Sequence, residues 1–183
     1  FSVSQSYQGV PIYTLRGIGF NTINLSATST VGSYVDEVAY PYPFMMTGPV
    51  FDIERVEVLK GPQGTLYGRN TTAGLIDFIT AKPTDSLQGS ATAEVGNYAT
   101  YNIEGFISGP LTDNLQARLA LRYDNSNQGW QVSNTRPNER QGEVHKLGMR
   151  LSFAWQPTED IDVDLSLSGW LNNSDTVVAQ GIG

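Results

Sequence analysis

The chain has 183 residues, of which 18 are acidic and 11 basic, so its formal net charge at pH 7 is −7. It contains no cysteine, which excludes a disulfide framework, a cysteine-based zinc or iron–sulfur site and a cysteine nucleophile. The acidic balance argues against a nucleic-acid binder, which needs a basic face.

The first part of the chain, up to about residue 82, consists of short β-type runs separated by glycine and proline turns. One such piece is Leu15-Arg16-Gly17-Ile18-Gly19, and a second is Val35-Asp36-Glu37-Val38. A third segment, residues 39–50, is rich in aromatic residues and methionine and is bounded by prolines. A loop seldom exposes so much apolar surface without a use.

The longest motif runs from Phe51 to Pro83 and predicts a strand, a turn and a second strand. The first strand is expected to bury one face and to leave Glu54, Arg55 and Glu57 available for ion pairs; its expected buried residues are Ile53, Val56, Val58 and Leu59. Gly61-Pro62 ends this strand, because proline cannot donate to a sheet ladder. The glycines that follow permit tight turns or close backbone approach, and they are Gly64, Gly68 and Gly74.

Beyond residues 82–86 the sequence pattern changes to long runs in which apolar and polar residues alternate. In residues 147–155, for example, Leu147, Met149 and Leu151 are separated by small or charged residues. Alternation with a period of two places one face of a strand in an apolar medium and the other in a polar one. Five strands are predicted, at roughly 87–96, 98–109, 114–125, 143–156 and 160–172, and residues 109–113 and 156–160 are predicted to be short turns.

Two folds compete for these strands: a soluble β-sandwich and a transmembrane β-barrel. Strands of ordinary sheets have about 5–6 residues, whereas a tilted strand needs about 9–11 to cross a bilayer. Arginines in the middle of the strands suit a water-filled lumen. The barrel interpretation therefore predicts lumen-facing charges at Glu94, Glu104, Arg118, Arg122 and Arg150.

The motif of residues 51–83, together with the two earlier pieces, resembles the plug-domain signature of TonB-dependent outer-membrane receptors. The resemblance implies a mainly β fold: a small mixed plug sheet with short helices and turns, followed by the first five or so antiparallel strands of an unclosed transmembrane barrel. It divides the chain into the C-terminal part of a plug at 1–84 and barrel strands at 85–183. The sequence departs from the family pattern at three positions, which are Glu37, Leu75 and Asp77.

The resemblance implies active uptake of a scarce nutrient, such as a siderophore–iron chelate, through the outer membrane of a Gram-negative bacterium. The partners it implies are that ligand, outer-membrane lipid and the TonB–ExbB–ExbD energy-coupling complex, but not nucleic acid. The family's coupling box is expected ahead of Phe1. A soluble β-sandwich module that binds a ligand is the alternative function.

The resemblance also implies roles for individual residues. Arg16 and Arg55, with Glu54 and Glu57, are expected to contribute to ion pairs that lock the plug to the barrel. The plug-motif turns are expected at Gly17, Gly19, Gly61, Pro62, Gly64, Tyr67, Gly68 and Gly74. Segments 20–32 and 39–50 are expected to project outward. Two interpretations of the second segment stay open: it packs on the barrel wall, or it faces the ligand with Tyr40, Tyr42, Phe44 and Met45.

No residue pattern indicates an enzyme, a cofactor or a metal site. Asp160, Asp162 and Asp164 are spaced by two and fit one edge of a strand better than a calcium loop. A single histidine makes a serine triad hard to support, and no nucleophile elbow occurs.

Overall fold

The computed structural model describes residues 1–6, 9–19, 28–48, 50–68, 70–134, 136 and 138–176. These form two compact units. One unit contains Phe1–Thr47 and Ile53–Thr80, and the other contains Gly48–Asp52 and Ala81–Asp175. The predicted division of the chain after residue 84 stays a prediction.

The first unit contains two small sheets. Strands β1 (Ser2–Gln5), β2 (Pro11–Leu15) and β3 (Ile18–Gly19) form an antiparallel sheet in that order. The second sheet contains β4 (Val31–Val35), β5 (Val38–Ala39), β6 (Ile53–Lys60) and β7 (Gly74–Thr80) in the order β5-β4-β7-β6. Within it β4 and β7 run parallel, while the other pairs are antiparallel. A 3₁₀ turn at Pro43–Met46 and the single-turn helix α1 (Gly64–Tyr67) lie between the strands.

The core of this unit forms around the central strand β7, which is buried along almost its whole length because strands flank it on both sides. The residues of the core cluster are Tyr13, Leu15, Val31, Met46, Ala73, Ile76 and Phe78. Strand β6 lies at the edge of the sheet, and among its four apolar residues Ile53 and Val58 pack against the cluster. The prediction that Val56 is buried is wrong: this side chain is 48% exposed, although it lies on the same face of β6 as Val58.

The second unit is an antiparallel meander of long strands, which confirms the five predicted ones. They are β8 (Gln88–Gly96), β9 (Thr100–Thr112), β10 (Leu115–Ser126), β13 (Val144–Thr158) and β14 (Ile161–Asn172), hydrogen-bonded in the order β14-β13-β10-β9-β8. Between β10 and β13 a short hairpin contains β11 (Gln131–Val132) and β12 (Arg140–Gln141). The strands have 9 to 15 residues, the length that a tilted membrane-crossing strand requires.

The two predicted proline turns are shorter than expected. Strand β9 continues through Pro110 to Thr112, and β13 continues through Pro157 to Thr158. The strand register shifts beside each proline, so that the residue without an N–H group lies at an irregularity of the ladder. The turns therefore contain only residues 113–114 and 159–160.

One face of this sheet is apolar and the other is polar, and the polar face is the more deeply buried of the two. The apolar face is open, with Ile107, Met149 and Leu167 each more than half exposed. The polar face contains the buried side chains, among them Ser108, Arg118, Arg150 and Ser152. A soluble sandwich would bury the apolar face instead. Among the described residues, no helix is long and apolar enough to cross a membrane.

Candidate functional site

A buried carboxylate and two buried arginines form the centre of the polar face. The segment Gly48–Asp52 belongs to the second unit, the one that contains the long strands, and places Asp52 against Arg118 of β10. Arg118 Nε donates to Asp52 Oδ2 at 2.8 Å, and Nη2 of the same guanidinium donates to Oδ1, so the pair is bidentate. The Arg118 and Asp52 side chains are only 7% and 5% exposed. A planar fork on a carboxylate is among the strongest ion-pair geometries in proteins.

The backbone of the same segment is held by two further charged side chains. Arg150 Nη1 donates to the carbonyl oxygens of Phe51 and Asp52 at 3.2 and 3.3 Å. The N–H group of Asp52 donates to Glu104 Oε1 at 3.0 Å. Asp52 has a φ of 51°, a left-handed conformation that aspartate tolerates better than most residues. Gly48 lies against the Trp170 indole, where an added methyl group would come within 2.7 Å of ring carbons.

Aromatic rings support both guanidinium groups. The Arg118 Cζ atom lies 3.7 Å from the centre of the Phe106 ring, and Arg150 Cζ lies 4.8 Å from the centre of the Phe51 ring. Cation–π contact adds attraction that strengthens when water is excluded. Arg118 and Arg150 are diagonal neighbours on one face, because Arg118 pairs with Ser152 and Arg150 pairs with Ala120 across β10 and β13.

The other predicted lumen-facing charges lie on the same polar face. Arg122 Nε donates to Asp124 Oδ1 at 2.8 Å, and its Nη1 donates to Glu104 Oε2. Glu94 is exposed and accepts a hydrogen bond from Asn102 Nδ2 at 3.2 Å. The alternating pattern of the strands predicts these charges but not Asp52. Two features of the sequence could have indicated Asp52. It is a lone carboxylate between the apolar residues Phe51 and Ile53, and the later strands were predicted to place more arginines than carboxylates on their polar face.

The structure places the two predicted lock arginines in exposed positions of the first unit. Arg16 occupies a tight turn between β2 and β3, with a φ of 52°. Arg55 is paired on its own strand, with Nη1 at 2.7 Å from Glu54 Oε1 and Nε at 2.8 Å from Glu57 Oε1. These carboxylates raise the pKa of the Arg55 guanidinium. Exposed pairs of this kind contribute little to stability, and the lock role of both arginines stays a prediction.

The predicted plug-motif turns lie in two places. Gly17 is the second residue of the β2–β3 turn, and Gly19 of β3 pairs with Thr14 of β2. The remainder lie between β6 and β7: Gly61 and Pro62 follow the end of β6, Gly64 and Tyr67 bound α1, Gly68 caps it, and Gly74 begins β7.

Of the residues predicted to face a ligand, Tyr42 and Phe44 stack with their ring centres 5.7 Å apart, and both are exposed. Met45 belongs to the 3₁₀ turn and is partly exposed. Tyr40 packs against the core cluster and lines a cavity of about 280 Å³. That cavity is also lined by Tyr34, whose hydroxyl donates to the Tyr67 carbonyl at 2.8 Å. Residues 20–27 of the other predicted outward segment lie outside the described residues.

The first unit also contains a buried acid, Asp77, at the centre of β7. It is 3% exposed and accepts a hydrogen bond from the Glu37 N–H group at 3.2 Å. Burial raises the pKa of Asp77, and the neighbouring carboxylates of Asp36, Glu57 and Glu37 raise it further, against the opposing hydrogen bond from Glu37. A raised pKa in the folded state means that the ionised form reduces stability.

We expect Asp77→Asn to raise the melting temperature of the protein at neutral pH, because asparagine keeps an acceptor for Glu37 N–H and removes the buried charge. The advantage should shrink as the pH falls below the folded-state pKa of Asp77, because the folded carboxyl then takes up a proton, and it should vanish below the unfolded-state pKa of 3.8. Thermal unfolding across that pH range measures the difference. The control is Glu94→Gln, which neutralises an exposed acid; a benefit that is equal in both variants, or independent of pH, would refute this account.

A meander of long strands with an open apolar face and a buried charged face, preceded by a small mixed sheet, defines a membrane β-barrel unit with a plug-like unit. Residues 1–75 match the family model of the TonB-dependent Receptor Plug Domain. The resemblance seen in the sequence motifs is thereby confirmed: the first part of this chain matches the plug domain of TonB-dependent receptors. The family consists of receptors rather than enzymes.

Relatives and solved structures agree with this assignment. The chain is 33% identical over 129 residues to the ferric enterobactin receptor PirA of Pseudomonas aeruginosa, covering 63% of this chain and 17% of PirA. It is 31% identical over 114 residues to the pesticin receptor of Yersinia pestis, covering 58% of this chain and 17% of that receptor. The crystal structure of the ferric yersiniabactin uptake receptor FyuA from Yersinia pestis shares the fold, with a TM-score of 0.80, 22% identity and coverage of 92% of this chain and 26% of FyuA. The chain thus spans about a sixth of the length of these curated relatives.

Proposed function

We propose that this chain is part of an outer-membrane receptor that binds a siderophore–iron chelate and imports it with energy from the TonB–ExbB–ExbD complex of a Gram-negative bacterium. The observation that carries the proposal is the combination of a matched plug domain with a sheet whose apolar face is open and whose charged face is buried. Neither feature alone would distinguish a transporter from a binding module.

The exposure of the apolar face and the burial of the polar face support a location in the outer membrane. The open face of the sheet contains Ile103, Ile107, Leu165 and Leu171, each at least half exposed. Burying such a surface in lipid removes apolar area from water, with a gain of about 25 cal/mol per Å². The aromatic residues Tyr101 and Trp155 lie at opposite ends of the same face, as expected of residues at membrane interfaces.

The ligand class is supported by the relatives. PirA is named as a receptor for ferric enterobactin, and FyuA as a receptor for ferric yersiniabactin uptake. The soluble sandwich that binds a ligand, the alternative drawn from the sequence, requires a buried apolar face, which is the reverse of the burial observed here.

The test uses the complete receptor whose reading frame encodes this chain, expressed in a Gram-negative host that lacks receptors for the chelates used. Iron-starved cells receive radioactive iron as ferric enterobactin, ferric yersiniabactin or ferric pyoverdine. We expect uptake of at least one chelate, and we expect a protonophore to abolish uptake while leaving binding at the cell surface intact. Binding and uptake no greater than in cells with the empty vector, for all three chelates, would refute the proposal.

A further inference from the structure

We propose that Arg118, with Arg150 beside it, is the centre of an anion-binding site on the inner wall, which the Asp52 carboxylate occupies in this structure and which a carboxylate-bearing iron chelate occupies after Asp52 has left. This inference rests on the proposed function, because it needs a ligand that passes along the wall. The class of ligand is an anionic chelate that presents a planar carboxylate.

The geometry of the Arg118–Asp52 pair is not specific to an aspartate of the protein. The guanidinium offers its Nε and Nη2 groups to the two oxygens of one carboxylate. Any planar carboxylate that reaches this position can accept the same two hydrogen bonds. Asp52 therefore acts as an internal substitute for an external anion.

The arginines are positioned by groups other than Asp52 alone. Phe106, on the neighbouring strand β9, supports the Arg118 guanidinium and pairs in register with Ala120. Ser108 and Ser152 flank Arg118 on the adjacent strands and are both buried. The site is thus built into three hydrogen-bonded strands and keeps its form when the carboxylate changes.

The charge balance favours replacement of Asp52 by another anion over an empty site. The neighbouring cation Arg122 already has the carboxylates of Glu104 and Asp124 as partners. Departure of Asp52 would leave Arg118 buried without this carboxylate, and a buried unpaired charge is strongly unfavourable. An incoming carboxylate restores the lost hydrogen bonds, so an exchange of anions costs less than simple opening.

The backbone of Asp52 also favours exchange. Its φ of 51° lies in the left-handed region, which the contacts with Arg118, Arg150 and Glu104 hold in place. Release of the segment relieves this conformation. Glycine adopts the same φ without strain, so Asp52→Gly is a variant that removes the internal anion while preserving the local backbone.

The first experiment asks whether the emptied site binds carboxylates. The complete receptor with Asp52→Gly is purified in detergent and its thermal unfolding is followed with sodium formate, against sodium chloride at equal ionic strength. We expect formate to raise the melting temperature of Asp52→Gly by several degrees and to have little effect on the wild type or on Asp52→Gly/Arg118→Gln. An equal response in the single and the double variant would overturn the proposal.

The second experiment asks whether the site selects an iron chelate by charge. Ferric citrate, which carries carboxylates, and a ferric trihydroxamate are titrated into the same two variants. We expect the affinity for ferric citrate to fall about tenfold or more when Arg118→Gln is added to Asp52→Gly, as the loss of a charge-assisted pair implies. The ferric trihydroxamate should bind the two variants with equal affinity. Arg136→Gln, which removes an exposed cation from a loop, serves as the control for net charge.

Equal losses for both chelates, or no loss for ferric citrate, would overturn the anion site. These outcomes are distinct from a failure of the proposed function. A receptor that takes up none of the tested siderophore chelates would refute the transport proposal, while formate stabilisation and ferric citrate binding would still decide whether Arg118 forms an anion site.

Discussion

Arg118→Gln is expected to weaken the attachment of residues 48–52 to the strand sheet by about 3–5 kcal/mol, the usual effect of removing one partner of a buried ion pair. The substitution leaves the Asp52 carboxylate, only 5% exposed, without its bidentate partner. The measurement is amide hydrogen exchange in the complete detergent-solubilised receptor. Two amides report directly: Asp52 N–H, which donates to Glu104, and Ala81 N–H, which donates to the Asp52 carbonyl at 3.0 Å.

Two matched variants test the cause. Asp52→Asn/Arg118→Gln removes both charges but keeps polar groups of nearly the same shape, and it should recover most of the lost protection. Arg122→Gln removes a cation from the same strand, but this arginine is 26% exposed and its carboxylate partners are partly hydrated, so the effect should be smaller. If Arg118→Gln leaves exchange at both amides unchanged, the ion pair does not hold this segment.

Gly74→Ala is expected to disrupt the mixed sheet of the first unit, with a loss of about 3 kcal/mol or more when backbone strain and overpacking are combined. Gly74 begins the central strand β7, where it pairs with Val31 of β4 and Lys60 of β6. Its φ is 134°, and an added Cβ would overlap the Leu59 carbonyl oxygen and lie 2.9 Å from Leu15 Cδ1. The Leu59 carbonyl belongs to a strand paired with β7 and cannot move away without breaking the ladder.

The control for Gly74→Ala is Gly61→Ala. Gly61 also has a positive φ, of 93°, but a Cβ there meets nothing within 4 Å. It should therefore show only the conformational cost, about 1 kcal/mol. Thermal unfolding and limited proteolysis of residues 1–80 in the complete receptor measure both variants; similar losses in the two would show that the close approach to Leu59 is not what requires glycine.

Much of the strand unit was predictable because alternation is a local property. Residues 147–155 show the period of two by themselves, and β13 forms there with its apolar residues on the open face. The exact ends were not predictable: Pro110 and Pro157 look like turn residues in the sequence, yet shifts of register allow the strands to continue through them. Val56 likewise fits a buried strand, yet it is exposed while Val58, on the same face of β6, packs against the core.

The candidate site was predictable only in part. The sequence placed Arg118 and Arg150 on a polar face, and the lock role expected of Arg16 and Arg55 stays a prediction. Arg55 has carboxylate partners on its own strand, Glu54 and Glu57. The partner of Arg118 lies 66 residues earlier in the chain, so no local pattern could connect the two.

Three features are visible in the sequence without any tertiary structure: the plug motif, the length of the later strands and the polarity of their two faces. These properties depend on residues close together in the chain, whose period and turn chemistry decide local structure. The folded chain shows in addition which charges meet, that residues 48–52 join the second unit, and that the buried Asp52 carboxylate pairs with Arg118. The physical reason is that ion pairing depends on sheet register and on contacts between residues distant in the chain, which composition and spacing do not specify.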